Sequence, residues 1–205
     1  MMLPESKDNR LVGVGPHPRP WPVDEKYDPE LLSHGDRRNV LDKYRYWKVE
    51  AIKKDLDLSR IDLEIAIENW QHDFNMGTIV RNANAFNIKA IHIIGKKQWN
   101  RRGAMVTDMY MHIFYYENVK DFVATMLDRS IIAIDNTEDA HNLSDFQFPK
   151  KTVLVFGSEG PGLSQEMIDT SEQVVKIEQF GSTRSVNVGV ASGIVMYEWL
   201  GQHIL

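Results

Sequence analysis

The distribution of hydrophobic residues along the chain changes near residue 60. From Pro29 to about Leu58, apolar residues recur at three- and four-residue spacings, which predicts a helical segment. Beyond that point, short β-rich runs alternate with helical stretches. The predicted strands are Leu63–Ile67, Ala90–Ile94, His112–Tyr116, Ile131–Ile134, Thr152–Phe156 and Gln173–Ile177, and the predicted helices lie at about 77–86, 103–110, 119–128, 164–170 and 187–201.

This alternation predicts an α/β fold with a parallel sheet that is covered by helices on both faces. Two predicted strands, IIAI at 131–134 and VLVF at 153–156, are apolar at successive positions, as strands buried on both sides should be. We therefore predict an α/β domain over residues 61–205. Residues 1–60 are predicted to form a proline-rich arm over 1–30, followed by a basic helix.

The composition narrows the class of protein. The chain has 205 residues, of which 26% are charged and 42% hydrophobic, as in ordinary soluble domains. It has no cysteine, which excludes disulfides and thiolate chemistry, and its 7 histidines show no metal-ligand spacing, so no metal is predicted. No apolar run approaches the roughly 18 residues of a membrane span. The segment MMLPESKDNR shows no secretory signal, so we expect a cytoplasmic protein.

Positive charge is segregated along a chain whose net charge is −5. Residues 36–60 hold 8 bases and 5 acids, and KKQWNRR at 96–102 holds 4 bases and no acid. Because binding depends on how charge is distributed, a mildly acidic total does not exclude nucleic acid. These clusters are either solvated faces or phosphate contacts. The candidate contact residues are Arg37, Arg38, Arg45, Lys96, Lys97, Arg101 and Arg102.

Three loops follow predicted strands, where ligands bind in open parallel sheets. The first is DFNMGT at 73–78, which opens a helix that carries Arg81. Asn75 suits a helix N-cap, and Gly77 lets the backbone approach another group closely. Asn75 is either a simple cap or part of a site. Arg81 is either a solvated charge or a functional group.

The second loop is FGSEGPGLS at 156–164. Its three glycines and its proline rule out regular structure and predict a bare backbone that can wrap a ligand, although a tight turn is the alternative. The order G-x-x-G-x-G is not the dinucleotide fingerprint, and the Lys-Ser/Thr of a P-loop is missing. Phe156 occupies a position that a hydrolase nucleophile elbow reserves for glycine.

The third loop, GSTRSVN at 181–187, opens the last predicted helix. Gly189 and Gly193 cost this helix about 1 kcal/mol each relative to alanine. Close packing must therefore compensate, and we expect a ligand, a loop or a second subunit to press against the helix.

Together the three loops resemble the signature motifs of the SpoU (TrmH-type) RNA 2′-O-ribose methyltransferases of the SPOUT superfamily. NMGTIVRNANAF at 75–86 resembles the first motif, N-x-G-x-x-x-R. VFGSEGPGLS at 155–164 is a near-complete copy of the second, and SVNVGVASGIVMYEW at 185–199 closely resembles the third. The motifs also match in order and spacing, and the resemblance spans about residues 62–201.

The resemblance implies a C-terminal trefoil knot, which chain-topology rules otherwise make rare. It implies a homodimer packed through the last helix, an active site with residues from both subunits, and tRNA or rRNA as substrate. It also implies S-adenosylmethionine as cofactor, held by the second and third loops. The implied cofactor-binding residues are Phe156, Gly157, Ser158, Glu159, Gly160, Gly162, Leu163, Ile177, Ser185, Val186 and Asn187.

By the same resemblance, Arg81 is catalytic and acts on the ribose 2′-hydroxyl. A free guanidinium does not normally give up a proton, so orientation and charge stabilisation are physically safer roles than that of a general base. Asn75 positions Arg81 or the ribose. Ser185 and Asn187 shape the pocket, and Glu159 ties the second loop across the dimer.

The chain also departs from the family pattern. Asn87 stands where glycine is usual, Asn82 where a small hydroxyl residue is common, and Gly189 where serine is frequent. Residues 1–60 do not resemble the compact RNA-choosing domain of many members. For RNA contact we therefore expect the arm, the basic helix and KKQWNRRG at 96–103, with Trp47 or Trp99 stacking on a base. Packing of Trp47 in a core is the alternative.

Two other functions remain open from the sequence. One is a knotted RNA-binding protein that keeps the cofactor fold without catalysis, which the intact motif residues argue against. The other is a Rossmann-type nucleotide enzyme, which the missing fingerprint argues against.

Overall fold

The computed structural model describes residues 13–70 and 75–205, and the chain divides after Asp55 into two compact units. Within these described residues, no helix is long and apolar enough to cross a membrane. Asp73 and Phe74 of the first loop, and residues 1–12 of the predicted arm, lie outside the described residues.

The second unit contains a seven-stranded sheet whose strand pairs are all parallel, as predicted. The strands are β1 (Ile61–Asn69), β2 (Ile88–Gly95), β3 (Ile113–Tyr116), β4 (Ser130–Ile134), β5 (His141–Asn142), β6 (Thr152–Phe156) and β7 (Gln173–Lys176). Their order across the sheet is β3-β2-β1-β6-β4-β7-β5. All six predicted strands are confirmed. The sequence did not predict β5, which has only two residues and so carries no periodicity.

Helices cover both faces of the sheet, because alternate strand residues point into two different cores. Among the described residues, the α-helices are α1 (Pro29–His34), α2 (Val49–Asp57), α3 (Met76–Ala85), α4 (Val119–Val123), α5 (Gln165–Thr170) and α6 (Val188–His203). Leu154 and Phe156 of β6 join a cluster with residues of α3 and α6, whereas Val153 and Val155 join a second cluster with residues of α4 and α5.

The continuous helix predicted from Pro29 to Leu58 is wrong, because α1 and α2 are separated by an irregular segment. Gly35 ends α1 with φ 94°, and a Cβ there would lie 2.6 Å from the Val14 carbonyl oxygen. The fully buried Asp36 then accepts hydrogen bonds from Arg38 and from the Tyr46 amide, and this holds the segment in a non-helical path.

Two predicted helices of the second unit are shorter or broken. Residues 103–110 form parts of two 3₁₀ turns, Arg101–Ala104 and Thr107–Tyr110, separated by Met105 and Val106 in the left-handed region. The helix predicted over 119–128 ends at Val123, where the hydroxyl of Thr125 donates to the Phe122 carbonyl and competes with helix continuation.

Helix α3 packs against the small residues of α6. A Cβ on Gly189 would lie 2.8 Å from the Thr78 side chain, so only glycine permits this approach. Asn82 donates to the Gly189 carbonyl at 2.9 Å and to Ser192 Oγ at 3.1 Å. The departures at Asn82 and Gly189 therefore form one complementary contact between the two helices.

Asn87, which replaces the usual glycine, has a φ of 51°. Asparagine tolerates the left-handed region better than most residues, and its amide here donates to the Ser59 carbonyl. The turn into β2 is therefore preserved without glycine.

Candidate active site

A cavity of about 620 Å³ opens at the carboxyl end of the sheet. This volume is in the range of pockets that bind small-molecule ligands. Nearly all the predicted cofactor-binding residues line it: Phe156, Gly157, Ser158, Glu159, Gly160, Gly162, Ile177, Ser185, Val186 and Asn187. The second and third loops are thus brought together, as the parallel sheet predicted.

Leu163 is the one predicted cofactor residue that does not line the cavity. Its side chain is buried in the core cluster formed with α4 and α5. Its amide donates to Asp135 Oδ2 at 2.8 Å, so the backbone that was expected to face the ligand is held by a carboxylate. A buried apolar residue at the end of a glycine-rich loop anchors that loop rather than lining its mouth.

The second loop, residues 156–164 and called the glycine-rich loop from here on, is closed by a hydrogen bond within itself and is anchored by Glu68 of β1. The Gly162 amide donates to the Ser158 carbonyl at 3.1 Å. Ser158 Oγ donates to the Glu68 carbonyl at 2.9 Å, and Ser164 donates from its amide and its hydroxyl to the Glu68 carboxylate at 2.7 and 2.8 Å. Because Gly157 packs against Gly162 with no room for a Cβ, the loop is shaped before any ligand arrives.

Asn187 connects all three predicted motifs. Its amide nitrogen lies 2.9 Å from Asn75 Oδ1 and 2.6 Å from Glu159 Oε1, and its own Oδ1 caps α6 at the Val190 amide. Asn75 occupies the N-cap position of α3, yet its side chain makes no capping hydrogen bond. The interpretation of Asn75 as a simple helix N-cap is therefore wrong. Glu159, expected to act across a dimer, is held by Asn187 within one chain.

Arg81 lies on α3 with an exposed side chain, and it does not line the cavity. Within residues 13–70 and 75–205, Arg81 makes no ion pair. Among the described residues, Arg81 is therefore an exposed cationic group on the helix that begins at Asn75, outside the wall of the cavity in a single chain.

Several residues of the cavity were missed by the sequence reasoning: Asp135, Asn136, Lys176, Gln179, Arg184 and Ala191. Asp135 directly follows β4, and the rule that ligands bind beyond strand ends would have found it. Its Oδ2 holds the Leu163 amide, and the Asn136 amide nitrogen donates to the Arg184 carbonyl at 2.8 Å. These contacts fix the two loops that form the cavity.

The candidate nucleic-acid contacts differ in how free their charges are. Arg37, Lys96, Lys97 and Arg102 are exposed, and Arg101 is exposed while lying 3.4 Å from Asp108. Arg38 forms a close ion pair with buried Asp36 and donates to the Trp47 carbonyl, and Arg45 donates to the Arg38 carbonyl. Arg37, Arg38 and Arg45 do not lie on a basic helix as predicted, because the irregular segment between α1 and α2 contains them.

The two predicted stacking residues also differ. Trp99 is buried in the core with α3, so its assignment as a base-stacking residue is wrong. Trp47 is half-buried within the first unit, with the Tyr44 ring edge-on at 5.4 Å and the Lys26 ammonium 4.5 Å from its centre.

Comparison with known proteins places the second unit in a family. Residues 62–197 match the family model described as the SpoU rRNA Methylase family. The tRNA (guanosine(18)-2′-O)-methyltransferase of Aquifex aeolicus is 27% identical over 159 residues, covering 74% of each chain. The same-named protein of Borreliella burgdorferi is 29% identical over 170 residues, covering 80% of this chain and 78% of that protein.

Solved structures of similar fold include enzymes of the same family. The crystal structure of the A. aeolicus TrmH/SpoU tRNA modifying enzyme matches with a TM-score of 0.66 and 25% identity, covering 75% of this chain and 81% of that one. An AdoMet-bound rRNA methyltransferase from Sinorhizobium meliloti matches with a TM-score of 0.64 and 23% identity over 75% of this chain and 60% of its own, which shows the fold alone. The chain belongs to the SpoU rRNA methylase family.

Proposed function

We propose that the protein transfers a methyl group from S-adenosylmethionine to a ribose 2′-hydroxyl of tRNA or rRNA. The proposal rests mainly on the hydrogen bonds of Asn187. This residue of the third motif lies at the wall of the cavity and contacts both the first motif and the glycine-rich loop. The relatives named above act on guanosine 18 of tRNA, so tRNA is the first substrate to test.

The cavity wall fits this cofactor. The glycine-rich loop presents backbone, and the place of a side chain at Gly160 is open. Glu159 and Asp135 supply negative charge for a cationic ligand, while Ile177 and Val186 supply apolar surface for a flat base. When bound, S-adenosylmethionine would supply a methyl group from its sulfonium sulfur, and S-adenosylhomocysteine would leave with the electron pair of the broken bond.

Residues of the chain itself would hold the cofactor and orient the ribose. Asn187 and Ser185 shape the mouth of the cavity, and Asn75 is fixed by Asn187 at the start of α3. Arg81 carries a permanent positive charge that would orient the ribose and stabilise the negative charge that develops on the hydroxyl oxygen, whose proton passes to solvent water. Alignment of the oxygen with the methyl group supplies most of the rate, because the chemistry itself needs little covalent help.

A homodimer completes the proposal. On α6, Val190, Ile194 and Tyr197 are exposed at helical spacing and form an apolar stripe. Packing of two copies through this stripe would bury it, and it would allow Arg81 of one subunit to serve the cavity of the other.

The knot is also part of the proposal. It is supported by family membership, by the position of β7 between β4 and β5, and by the hydrogen bond that ties Asn136 to the third loop. A crystal structure in which the chain after β7 runs outside the loop at 157–164 would contradict it.

The test is transfer of labelled methyl from S-adenosylmethionine to purified tRNA and rRNA fractions by the wild-type protein. Label in RNA supports the proposal. The non-catalytic alternative predicts that RNA and cofactor both bind while no label is transferred to either fraction.

A further inference from the structure

Trp70 lies at the carboxyl edge of the sheet, directly after β1, and its side chain is not part of a core. The residue is 38% exposed. For a tryptophan this corresponds to on the order of 60–100 Å² of accessible surface, which is comparable to one face of the indole ring. No sequence motif indicated a role for this residue, unlike Trp47 and Trp99.

The indole ring is held in one orientation. Its N–H donates to Glu68 Oε1 at 3.2 Å, and Glu68 is itself buried and fixed by Ser164. Two ring carbons lie 2.7 Å from the position that a Cβ on Gly95 would take. Only glycine permits this contact, so the ring lies against the backbone at the end of β2. A group fixed beforehand loses little conformational entropy when it binds a partner.

Two lysines lie in the segment that neighbours Trp70. The Lys96 amide donates to the Asn69 carbonyl at 3.0 Å, and Asn69 Nδ2 donates to the Lys96 carbonyl at 2.6 Å. This pair of hydrogen bonds joins the segments that follow β1 and β2. It places the exposed Lys96 and Lys97 beside the segment that carries Trp70.

We propose that Trp70 stacks on an unpaired nucleotide of the RNA substrate, with Lys96 and Lys97 contacting the adjoining phosphates. The inference rests on the proposed function and names a substrate contact for the same site. Aromatic rings beside cations are how proteins bind unpaired nucleotides, since stacking and phosphate contact act together.

A second copy of the chain is the less suitable occupant of this surface. Two copies that met through it about a two-fold axis would bring Lys96 and Lys97 of one against the same residues of the other, which costs free energy. The exposed apolar stripe that suits a dimer lies on α6 instead.

The experiment compares Trp70→Leu with Trp70→Phe, using fluorescently labelled total tRNA and total rRNA as the probes. Because stacking is worth about 1–3 kcal/mol per base, Trp70→Leu should raise the Kd for the bound RNA by about 5-fold to 150-fold. Trp70→Phe keeps an aromatic face and should lose less. The Kd for S-adenosylhomocysteine should stay within about twofold of the wild type in both variants. The matched control is Tyr115→Leu, since Tyr115 is a similarly exposed aromatic residue on β3, and it should bind RNA like the wild type.

Three results would overturn the inference: RNA binding by Trp70→Leu that equals wild type, equal losses in the Leu and Phe variants, or a change in sedimentation that marks a protein interface. Each leaves the proposed function standing if the wild-type protein still methylates RNA. Conversely, wild-type protein that binds RNA through Trp70 but transfers no methyl group would contradict the proposed function alone. Failure of the wild type to bind either RNA fraction would overturn both.

Discussion

Asn187 Nδ2 lies 2.9 Å from Asn75 Oδ1, although 112 positions separate the two residues in sequence. The same nitrogen lies 2.6 Å from Glu159 Oε1. One side-chain amide thus fixes the start of α3, the glycine-rich loop and the start of α6 relative to one another. The arrangement of the site depends on a donor at this position.

Replacement of Asn187 by Asp tests that dependence. Aspartate keeps an oxygen to cap α6 but places a second carboxylate beside Glu159 and removes the donor to Asn75. We expect the Kd for S-adenosylmethionine, measured by calorimetry, to rise at least tenfold, because the loss of a hydrogen bond to a charged group costs about 1.5–3 kcal/mol. Asn187→Ala removes the cap as well and should also lower stability by about 1 kcal/mol. Unchanged affinity in Asn187→Asp would show that the contact with Glu159 is not needed.

Substitution of Arg81 separates catalysis from cofactor binding. Since Arg81 does not line the cavity of its own chain and is proposed to contact the ribose rather than the cofactor, Arg81→Ala should bind S-adenosylmethionine with unchanged affinity. Its kcat should fall by about a hundredfold or more, as when one group that stabilises developing charge is removed. Arg81→Lys keeps the charge but not the planar fork, so its kcat should lie between the two. A Kd that rises with the fall in kcat would instead place Arg81 in the cofactor site.

One glycine of the second loop and one of the third offer a matched pair of substitutions. A Cβ at Gly157 would lie 2.2 Å from the Gly162 carbonyl carbon, whereas at Gly181 nothing lies within 4 Å. Gly157→Ala should therefore destabilise the protein by about 1–3 kcal/mol and reduce cofactor affinity, because backbone has to move. Gly181→Ala should leave the free energy of unfolding within about 0.5 kcal/mol of the wild type. Thermal unfolding and calorimetry check both, and equal behaviour would contradict the close packing of the loop.

A buried network predicts loss of stability in acid. Burial by itself raises the pKa of Glu64, but the hydrogen bond from His92 and the charges of Arg129, His92 and Lys89 outweigh it and hold that pKa below its ordinary value of 4.5. Because the unfolded chain then binds the proton more readily, this contribution is fully present above about pH 4.5 and is lost as the pH falls through the folded-state pKa. The free energy of unfolding, measured with urea between pH 7 and pH 3, should therefore decrease below pH 4.5. Glu64→Gln should be less stable at pH 7 and show a flatter acid dependence; an acid dependence identical to wild type would exclude this role.

The apolar stripe on α6 predicts the oligomeric state. Ile194→Glu introduces a charge on an exposed position of the stripe, so it should not disturb the core of the subunit. Sedimentation should change from dimer to monomer, and methyl transfer should be lost if the site takes residues from both subunits. Mixed dimers of Arg81→Ala and Asn187→Ala should regain part of the activity, because one of their two sites is intact. A monomeric wild type would contradict the dimer.

The sequence predicted the site better than it predicted the connecting segments. Strand ends of a parallel sheet meet at one edge, so Asn75, Glu159 and Asn187 could be placed together from their positions alone. The path of the chain between α1 and α2 could not be predicted in this way. It depends on a buried hydrogen bond between Asp36 and the Tyr46 amide, which no local periodicity reveals. Trp99 lies among four basic residues, a pattern that is typical of a residue that stacks on RNA. It is buried instead, because the segment after β2 packs on α3, and the sequence does not reveal that packing.

The most direct test of the account is the position of the transferred methyl group. Labelled RNA from the wild-type reaction is partly hydrolysed in alkali, which cleaves next to a free 2′-hydroxyl and spares a methylated one. The account predicts a single gap in the hydrolysis ladder at the labelled nucleotide, and no label with Arg81→Ala. An unbroken ladder with the label retained in a base would contradict transfer to the ribose.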